Sequence, residues 1–450
     1  MESPLQKRRD ARLGVDPVGK LLVHLSLPSI IGMLVHALYN FVDTIFIGRG
    51  VGPDGIGGLI IAFPFQMLIM GLAGIIGIGG SSMVSRYLGS GDRKKACRTA
   101  GSAFTMATIL GLLITVLGLV FLDSLLRLFG ATDVLIGYSR DYLSIILYGA
   151  FLASFGMVAN NILRAEGRAL EAMAILLSGT IVNLILDPIF IFVFDWGIRG
   201  AAYATVVAQC VSTSILLLFF LSGRSSLDLE FRHLKIMRSL AKEMVAIGFP
   251  SFVRQAGGSV MMVAVNNMLG KYGGDIYISS FGIVNRFFLL MFMVLFGLIQ
   301  GLQPIVGYNY GAGQMERVKH ALRLSITAST LFCCLVFIVL MAFPSQMVGL
   351  FSNDPQLIQI GTKAVRYVIL AIPLVGFQVI AASFFQAIGK ARPALLLSMS
   401  RQFILLIPLV LILPLFLGAY GVFWAFPWAD FLAVLLTLYW FMKEVRELRD

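Results

Sequence analysis

The sequence is poor in charged residues for its length. Asp, Glu, Lys and Arg make up 13% of the chain, whereas they make up about a quarter of an average soluble domain. Hydrophobic residues make up 58%, and the mean hydropathy is +0.89. This composition excludes a soluble globular protein. It predicts an all-α integral membrane protein, because helices satisfy their own backbone hydrogen bonds in lipid.

Residue patterns typical of enzymes and metalloproteins are also missing. The sequence contains no GxxxxGK[ST] phosphate loop and no HExxH motif. Four cysteines are present without a CxxC or zinc-like spacing, namely Cys97, Cys210, Cys333 and Cys334. We therefore expect neither an enzyme nor a bound cofactor.

Apolar segments of about 17 to 25 residues, long enough to cross a bilayer, recur along the chain. They predict twelve transmembrane helices, near residues 22–47, 56–84, 99–122, 140–163, 172–194, 198–221, 244–269, 277–308, 321–343, 363–388, 394–416 and 420–442. The chain is therefore expected to be a multi-pass protein embedded in a lipid bilayer.

The net charge of +12 is explained by topology rather than by a nucleic-acid partner. If the N-terminus is cytoplasmic, the loops on that side carry 25 Lys or Arg, the opposite loops carry 7, and 3 arginines lie inside helices. Cytoplasmic loops of membrane proteins are enriched in Lys and Arg. The distribution predicts a protein of the plasma membrane with both termini in the cytoplasm.

The second half of the sequence repeats the first at a constant offset. This offset superposes Pro28 on Pro250, and Gly89 and Gly167 on Gly311 and Gly389. The repeat divides the chain into an N-lobe with helices one to six (residues 21–221) and a C-lobe with helices seven to twelve (residues 244–442). A cytoplasmic linker (residues 222–243) joins them, and a cytoplasmic N-terminal segment (residues 1–20) and a cytoplasmic tail (residues 443–450) flank them. Spaced apolar residues in the linker predict a helix on the membrane surface. Because six is even, both halves insert in the same direction, as in transporters with parallel repeats.

Asp43 and Asp187 lie inside long apolar segments, where an ionised carboxylate costs at least a few kcal/mol and marks a candidate functional site. On the same helices, other polar residues lie three or four positions away, so their side chains project from the same helix face. Asn183 lies four residues before Asp187. The further polar candidates are His36, Asn40, Thr205 and Gln209. These groups suit either Na⁺, which prefers oxygen ligands, or a proton carried by a carboxylate. The alternative is that they only form hydrogen bonds between helices.

The second half carries different charges. Arg254, Arg286, Arg401 and Asp430 lie well inside predicted helices. An ion pair between Asp430 and Arg401 would be structural. The remaining arginines either bond to the backbone, reach towards the membrane surface, or meet a substrate anion or an N-lobe aspartate.

The sequence resembles the multidrug and toxic compound extrusion (MATE) family, and is most similar to the branch of staphylococcal multidrug exporters. The similarity extends over roughly residues 20–442 and rests on four features: Asn40-Phe-Val-Asp43, the repeated Gly-x-Gly turns, Gln303-Pro304-Ile-Val-Gly307 and Asn183-x3-Asp187. The resemblance implies a V-shaped fold of twelve helices and cation-coupled export of bulky, often cationic, amphipathic molecules.

The resemblance also implies a cation site at Asp43, Asn183, Asp187 and Thr205. Another branch of the family uses acids in its seventh and tenth helices, where this sequence offers Gln255 and Gln378. A second cation site in the C-lobe is therefore not expected.

We expect a monomeric antiporter that exports a small molecule by alternating access as H⁺ or Na⁺ enters. One alternative is a flippase for a lipid-linked saccharide, which the arginines favour because they could hold a pyrophosphate. The other is a passive channel or a membrane scaffold.

Overall fold

The computed structural model describes residues 12–447, and within this range the chain forms helices and no strand. This confirms the prediction of an all-α protein. The first eleven residues of the predicted N-terminal segment and the last three of the predicted tail lie outside the described residues.

Twelve long helices follow one another along the described chain. Their bounds are α1 Val18–Gly50, α2 Pro53–Gly89, α3 Arg93–Val120, α4 Ile136–Tyr148 with Ala150–Ala165, α5 Ala169–Val193, α6 Gly197–Leu221, α7 Arg238–Gly273, α8 Asp275–Gly311, α9 Met315–Ala342, α10 Pro355–Ala387, α11 Ala391–Leu417 and α12 Ala419–Glu447. Helices α4, α5, α10 and α11 are each interrupted by a bend or a change of helix type. Helices α1–α6 form the N-lobe and α7–α12 form the C-lobe.

Among residues 12–447, ten helices are long and apolar enough to cross a membrane, and α4 makes eleven if its two parts are one span bent by 53°. The remaining long helix, α7, is 36 residues long. Arg254 and Gln255 near its middle lower its hydropathy, which explains why it is less apolar than the others.

Several boundaries differ from the prediction. Helix α1 begins at Val18, α12 continues to Glu447, and α7 begins at Arg238, inside the predicted linker. Charged side chains in end turns can reach the membrane surface, so helices extend beyond their apolar segments. The predicted surface helix of the linker is not formed, because the part of the linker before α7 contains a single short 3₁₀ turn, Phe231–Leu234.

The backbone shows the repeat directly. Gly91 and Gly313 have φ angles of 77° and 71°, and Gly167 and Gly389 both have φ of 81°. The repeat superposes the two members of each pair. Glycine adopts this left-handed conformation without the steric cost that other residues incur. The same turn is therefore built at the same place in both lobes.

Helices α1 and α7 each pack in both lobes. Leu21 and Leu25 of α1 lie in an apolar cluster of the C-lobe, whereas Ile47 near the other end of α1 lies in a cluster of the N-lobe. Helix α7 does the reverse, with Met244 in an N-lobe cluster and Leu269 in a C-lobe cluster. Each helix therefore crosses from one lobe to the other.

The buried prolines Pro28 and Pro250 lie inside α1 and α7, in the part where each helix crosses. Proline removes one backbone hydrogen bond and commonly bends a helix. These two helices are consequently the places where a change of angle between the lobes would be absorbed.

The lobes meet most closely on the side of the bundle that carries the linker, which we call the linker side. A Cβ atom on Gly89 would overlap the carbonyl oxygen of Tyr308, and one on Gly311 would overlap that of Arg86. These contacts are reciprocal, because Tyr308 is the repeat counterpart of Arg86. The close contact is therefore nearly two-fold symmetric.

Polar contacts reinforce this seam. Arg86 Nη2 lies 2.9 Å from Glu243 Oε1, and Ser82 Oγ donates to the carbonyl of Gln386 at 2.6 Å. Towards the middle of the helices, Gln255 Nε2 donates to the carbonyl of Met67 at 3.0 Å. The lobes are thus joined over the linker-side half of the bundle, so a cleft between them would face the opposite side, which we call the loop side.

Candidate functional site

Two carboxyl groups meet inside the N-lobe. Asp43 of α1 is 6% exposed and Asp187 of α5 is fully buried, and the two side chains lie close enough for each carboxyl group to influence the charge of the other. Asp187 precedes Pro188, after which α5 widens into a π-helical turn, Ile189–Val193. Such turns are frequent at functional sites.

Asn183 holds this pair in place. In the orientation that satisfies both ends of its amide, its nitrogen donates to Asp187 Oδ2 at 2.7 Å and to the Tyr39 hydroxyl at 2.9 Å. Its oxygen then accepts from the backbone nitrogen of Thr205 at 3.0 Å. The Thr205 hydroxyl in turn donates to the carbonyl of Ala201 at 3.0 Å. Helices α1, α5 and α6 are joined at this point, so the structure brings together all four residues of the predicted cation site.

Two tyrosines, Tyr39 and Tyr142, complete the cluster, and the sequence did not predict their role. The Tyr39 hydroxyl accepts from the Asn183 amide, the Tyr142 hydroxyl lies close to Thr205, and Gln66 Nε2 donates to Tyr142 Oη at 3.1 Å. Tyr39 lies one helical turn before Asp43, which is a signal that the sequence offers. Tyr142 offers none, because its position depends on how α4 packs.

The cluster is rich in oxygen atoms and is incompletely satisfied. Asp43 Oδ1 is buried and has no hydrogen-bond partner among the described residues. Buried polar atoms are normally paired, so this oxygen is available to a proton or a cation. Carboxylate, amide and hydroxyl oxygens are suitable ligands for a hard cation, and the donor set therefore fits Na⁺ as a transported ion.

The other polar candidates of the N-lobe lie apart from the carboxyl pair. Asn40 is exposed, and its amide donates to the carbonyl of His36 at 3.0 Å. The rings of His36 and Tyr39 are 5.9 Å apart, which places His36 at the edge of the cluster. Gln209 lies beside Gly149 at the bend of α4, and its Oε1 is buried without a partner within residues 12–447.

The C-lobe charges are arranged differently. Arg401 Nε donates to Asp430 Oδ1 at 2.6 Å, and Asp430 is 1% exposed. Arg254 lies over the ring of Phe296 at 5.6 Å, and Arg286 lies over that of Phe351 at 5.3 Å. Neither Arg254 nor Arg286 forms an ion pair with any residue that the structure describes. One arginine of the three is therefore neutralised inside the protein.

A family model, MatE, matches residues 28–189 and 250–412. The two matched segments start at Pro28 and Pro250, which the repeat superposes, and together they extend over well over half of the chain. The chain belongs to the MatE family. The predicted family resemblance is confirmed.

Curated relatives of this MatE protein have matching lengths. A protein of Staphylococcus haemolyticus described as "Multidrug export protein MepA" is 27% identical over 420 residues, which cover 93% of this chain and 92% of the relative. A protein of Staphylococcus aureus with the same description is 26% identical over 424 residues, covering 94% and 93%.

Solved structures have the same fold. A structure described as that of the MATE multidrug transporter DinF-BH is 42% identical, with a TM-score of 0.89 and 96% of each chain covered. A second, of MATE in the bent conformation, is 28% identical with a TM-score of 0.92 and 98% of each chain covered.

These findings confirm a V-shaped MATE-type fold built from two six-helix repeats. They also confirm that this MatE protein is a membrane transporter and not an enzyme. It resides in a membrane as a multi-pass protein that acts on small molecules.

Proposed function

We propose that this protein is an antiporter of the plasma membrane that expels organic, often cationic and amphipathic, compounds as H⁺ or Na⁺ enters through the Asp43 and Asp187 pair. The contact between these two buried carboxyl groups carries the proposal. Two like charges this close cannot both persist in a buried site unless a proton or a cation is shared between them. Occupancy of the pair by the coupling ion therefore changes the charge of the N-lobe.

The direction of transport follows from topology. The excess of Lys and Arg, 25 against 7, supports a cytoplasmic linker side, where Leu13 and Glu444 near the two ends of the described chain also lie. The cleft between the lobes then opens to the outside. Expulsion requires the linker-side seam to part and close again, with bending of α1 and α7 near Pro28 and Pro250. That cycle is alternating access.

The nature of the substrate is supported by the relatives. Two of them are described as multidrug export proteins, and the helices that would border the cleft between the lobes consist mostly of apolar residues. A bulky organic molecule with apolar surface fits such a cleft better than an inorganic ion. The transport unit is a single chain, because each chain holds a complete carboxyl pair and a complete cleft.

The test is the substitution Asp43→Asn in purified protein reconstituted into vesicles. Export of a fluorescent rhodamine dye, a lipophilic cation, driven by a proton or sodium gradient should fall to the level of protein-free vesicles, since an amide cannot take up the coupling ion. Testing each gradient alone in the unchanged protein identifies which ion is coupled.

The matched control is Asp123→Asn. Asp123 is a half-exposed carboxylate of the N-lobe, paired with Arg140 at 2.6 Å, and exposed pairs contribute little to stability. This variant should export normally. Gradient-driven export that survives in Asp43→Asn would refute the proposed coupling role.

A further inference from the structure

Arg254 is a positive charge near mid-helix without a counterion in the protein. It lies about halfway along α7, and within residues 12–447 no acidic group is within ion-pair distance of it. A charge at this depth in a membrane protein is costly and is normally paired. Arg401 illustrates the usual solution, because Asp430 neutralises it.

An aromatic wall adjoins Arg254. The guanidinium group lies 5.6 Å from the ring centroid of Phe296, and the rings of Phe296 and Phe292 stack at 5.9 Å with an interplanar angle of 28°. Both phenylalanines belong to α8. A flat apolar group placed along this wall would have its charged end next to Arg254.

The position of Arg254 connects it to the cleft. Its neighbour Gln255 donates to the carbonyl of Met67 across the seam. On α8, Gly297 directly follows Phe296 and contacts Ile30 of the N-lobe. Arg254 and Phe296 are thus each next in sequence to a residue that contacts the N-lobe, so both lie at the level of the contact between the lobes.

The charges on the two sides of this cleft are opposite. The N-lobe offers the carboxyl pair Asp43 and Asp187, whereas the C-lobe offers Arg254 with its counterion missing. Charge complementarity therefore favours a group of negative charge on the C-lobe side. Arginine is well suited to it, because its planar fork binds carboxylate and phosphate groups by two parallel hydrogen bonds.

We propose that Arg254 and Phe296 form a binding site in the C-lobe for the anionic group of an amphipathic aromatic molecule. This proposal rests on the proposed export function and specifies its substrates, which would include anionic and zwitterionic compounds. The anionic group could belong to a free carboxylate or to an acidic lipid headgroup. The experiment separates these two sources.

The probe is dansylglycine, a fluorescent aromatic carboxylate, bound to protein in phosphatidylcholine nanodiscs, with the rhodamine dye as the cationic comparison. Arg254→Gln should weaken dansylglycine binding by about tenfold or more, the size of a lost charge-assisted contact. Its binding of the rhodamine dye should stay within about twofold of the unchanged protein, since the cation makes no ion pair with Arg254. Arg254→Lys, which keeps the charge but not the fork, should give an intermediate loss for dansylglycine.

The matched control is Arg286→Gln, which removes another unpaired C-lobe arginine that lies over Phe351 instead. It should leave dansylglycine affinity unchanged. Phe296→Leu retains the charge of Arg254 and removes the aromatic wall, and it should weaken dansylglycine binding several-fold. This second variant tests the site if Arg254→Gln does not fold.

Unchanged dansylglycine affinity in both Arg254→Gln and Phe296→Leu would overturn the site, and so would an equal loss for both probes. Adding phosphatidylglycerol to the nanodiscs separates the sources. Competition with dansylglycine indicates an acidic headgroup, and lack of competition indicates a free amphipathic anion. Loss of gradient-driven rhodamine export in Asp43→Asn tests the coupling proposal, whereas dansylglycine binding to Arg254→Gln tests this one, so the two failures give different results.

Discussion

The two lobes have the same backbone fold, but the side chains at their centres differ in polarity. The repeat places Val265 and Leu409 at the positions of Asp43 and Asp187, and Leu405 at that of Asn183. Val265 is fully buried, and the two leucines pack against the same apolar cluster of the C-lobe. What is an oxygen-rich cluster in one lobe is a hydrophobic core in the other.

The cluster residues that the sequence analysis did not predict also have apolar counterparts in the C-lobe. Tyr142 and Gln66 of the N-lobe cluster correspond to Ala364 and Phe288, which belong to the apolar core of the C-lobe. The repeat therefore folds without any of these polar groups. Because apolar packing satisfies the architecture, the cost of burying two carboxyl groups in the N-lobe points to function rather than to folding.

The charged residues of the C-lobe likewise have uncharged counterparts in the N-lobe. Arg254 corresponds to Gly32, and Arg401 corresponds to Gly179. In the N-lobe these positions carry no side chain, and Gly32 lies against Met173. The N-lobe therefore carries a carboxyl pair where the C-lobe is apolar, and the C-lobe carries Arg254 and Arg401 where the N-lobe has glycine.

The strongest way to break the comparison is to give the N-lobe the residue of the C-lobe. Asp187→Leu should abolish gradient-driven export, a fall of about a hundredfold or more, the size expected for roughly 3 kcal/mol. Vesicle transport with an imposed proton or sodium gradient measures it. The reciprocal Leu409→Asp should not create a second coupling site, because the side chains of its neighbours Leu405 and Val265 contain no oxygen atoms.

A second prediction concerns the ion pair that is confined to the C-lobe. Asp430→Asn leaves Arg401 buried without a counterion, so the free energy of unfolding should fall by about 3 to 5 kcal/mol. The double variant Arg401→Met with Asp430→Leu should recover most of this loss, because both charges are gone. Thermal unfolding of purified protein in detergent measures both. If the single variant is as stable as the unchanged protein, the pair is not structural.

A third prediction uses what the lobes have in common. Gly89→Ala and Gly311→Ala each place a methyl group against a backbone carbonyl of the other lobe. Overpacking of this kind typically costs about 1 to 3 kcal/mol, so both variants should slow export to a similar degree, about tenfold. Gly282→Ala on α8 meets nothing within 4 Å and is the control. Unequal effects of the two variants would show that the seam is not symmetric in the transport cycle.

Much of this molecule could be predicted from the sequence, and the reason is physical. Apolar length fixes the helices, the repeated glycines fix the turns, and Asp43, Asn183 and Asp187 are conspicuous because lipid makes polar groups costly. The bend of α4 at Gly149 could not be predicted, because no proline interrupts the helix there. Without that bend the position of Tyr142 could not be predicted either.

The sequence also did not predict that α1 and α7 each pack in both lobes. Leu21 and Leu25 are as apolar as any residues of α1, and nothing in their pattern shows that they pack in the opposite lobe. Helix α7 was predicted to start at residue 244, whereas it begins at Arg238. Its first turns carry Lys242 and Glu243, so hydropathy alone places them outside the helix, although Glu243 pairs with Arg86 across the seam.

The smallest expected effect comes from removing a single oxygen atom, the hydroxyl of Tyr39. Tyr39→Phe removes the hydroxyl that accepts a hydrogen bond from Asn183 at 2.9 Å and leaves the ring in place. The C-lobe counterpart, Met261, has no hydroxyl group, so this hydrogen bond is special to the N-lobe cluster. A net loss of about 0.5 to 1.5 kcal/mol should weaken the apparent affinity for the coupling ion by roughly three- to tenfold. Export measured against increasing ion concentration detects this shift, and the maximal rate should change little. Tyr203→Phe, on the half-exposed tyrosine that packs on Trp196, is the control. If both variants behave alike, the hydroxyl of Tyr39 does not hold the carboxyl pair, and the site consists of Asp43, Asp187 and Asn183 without it.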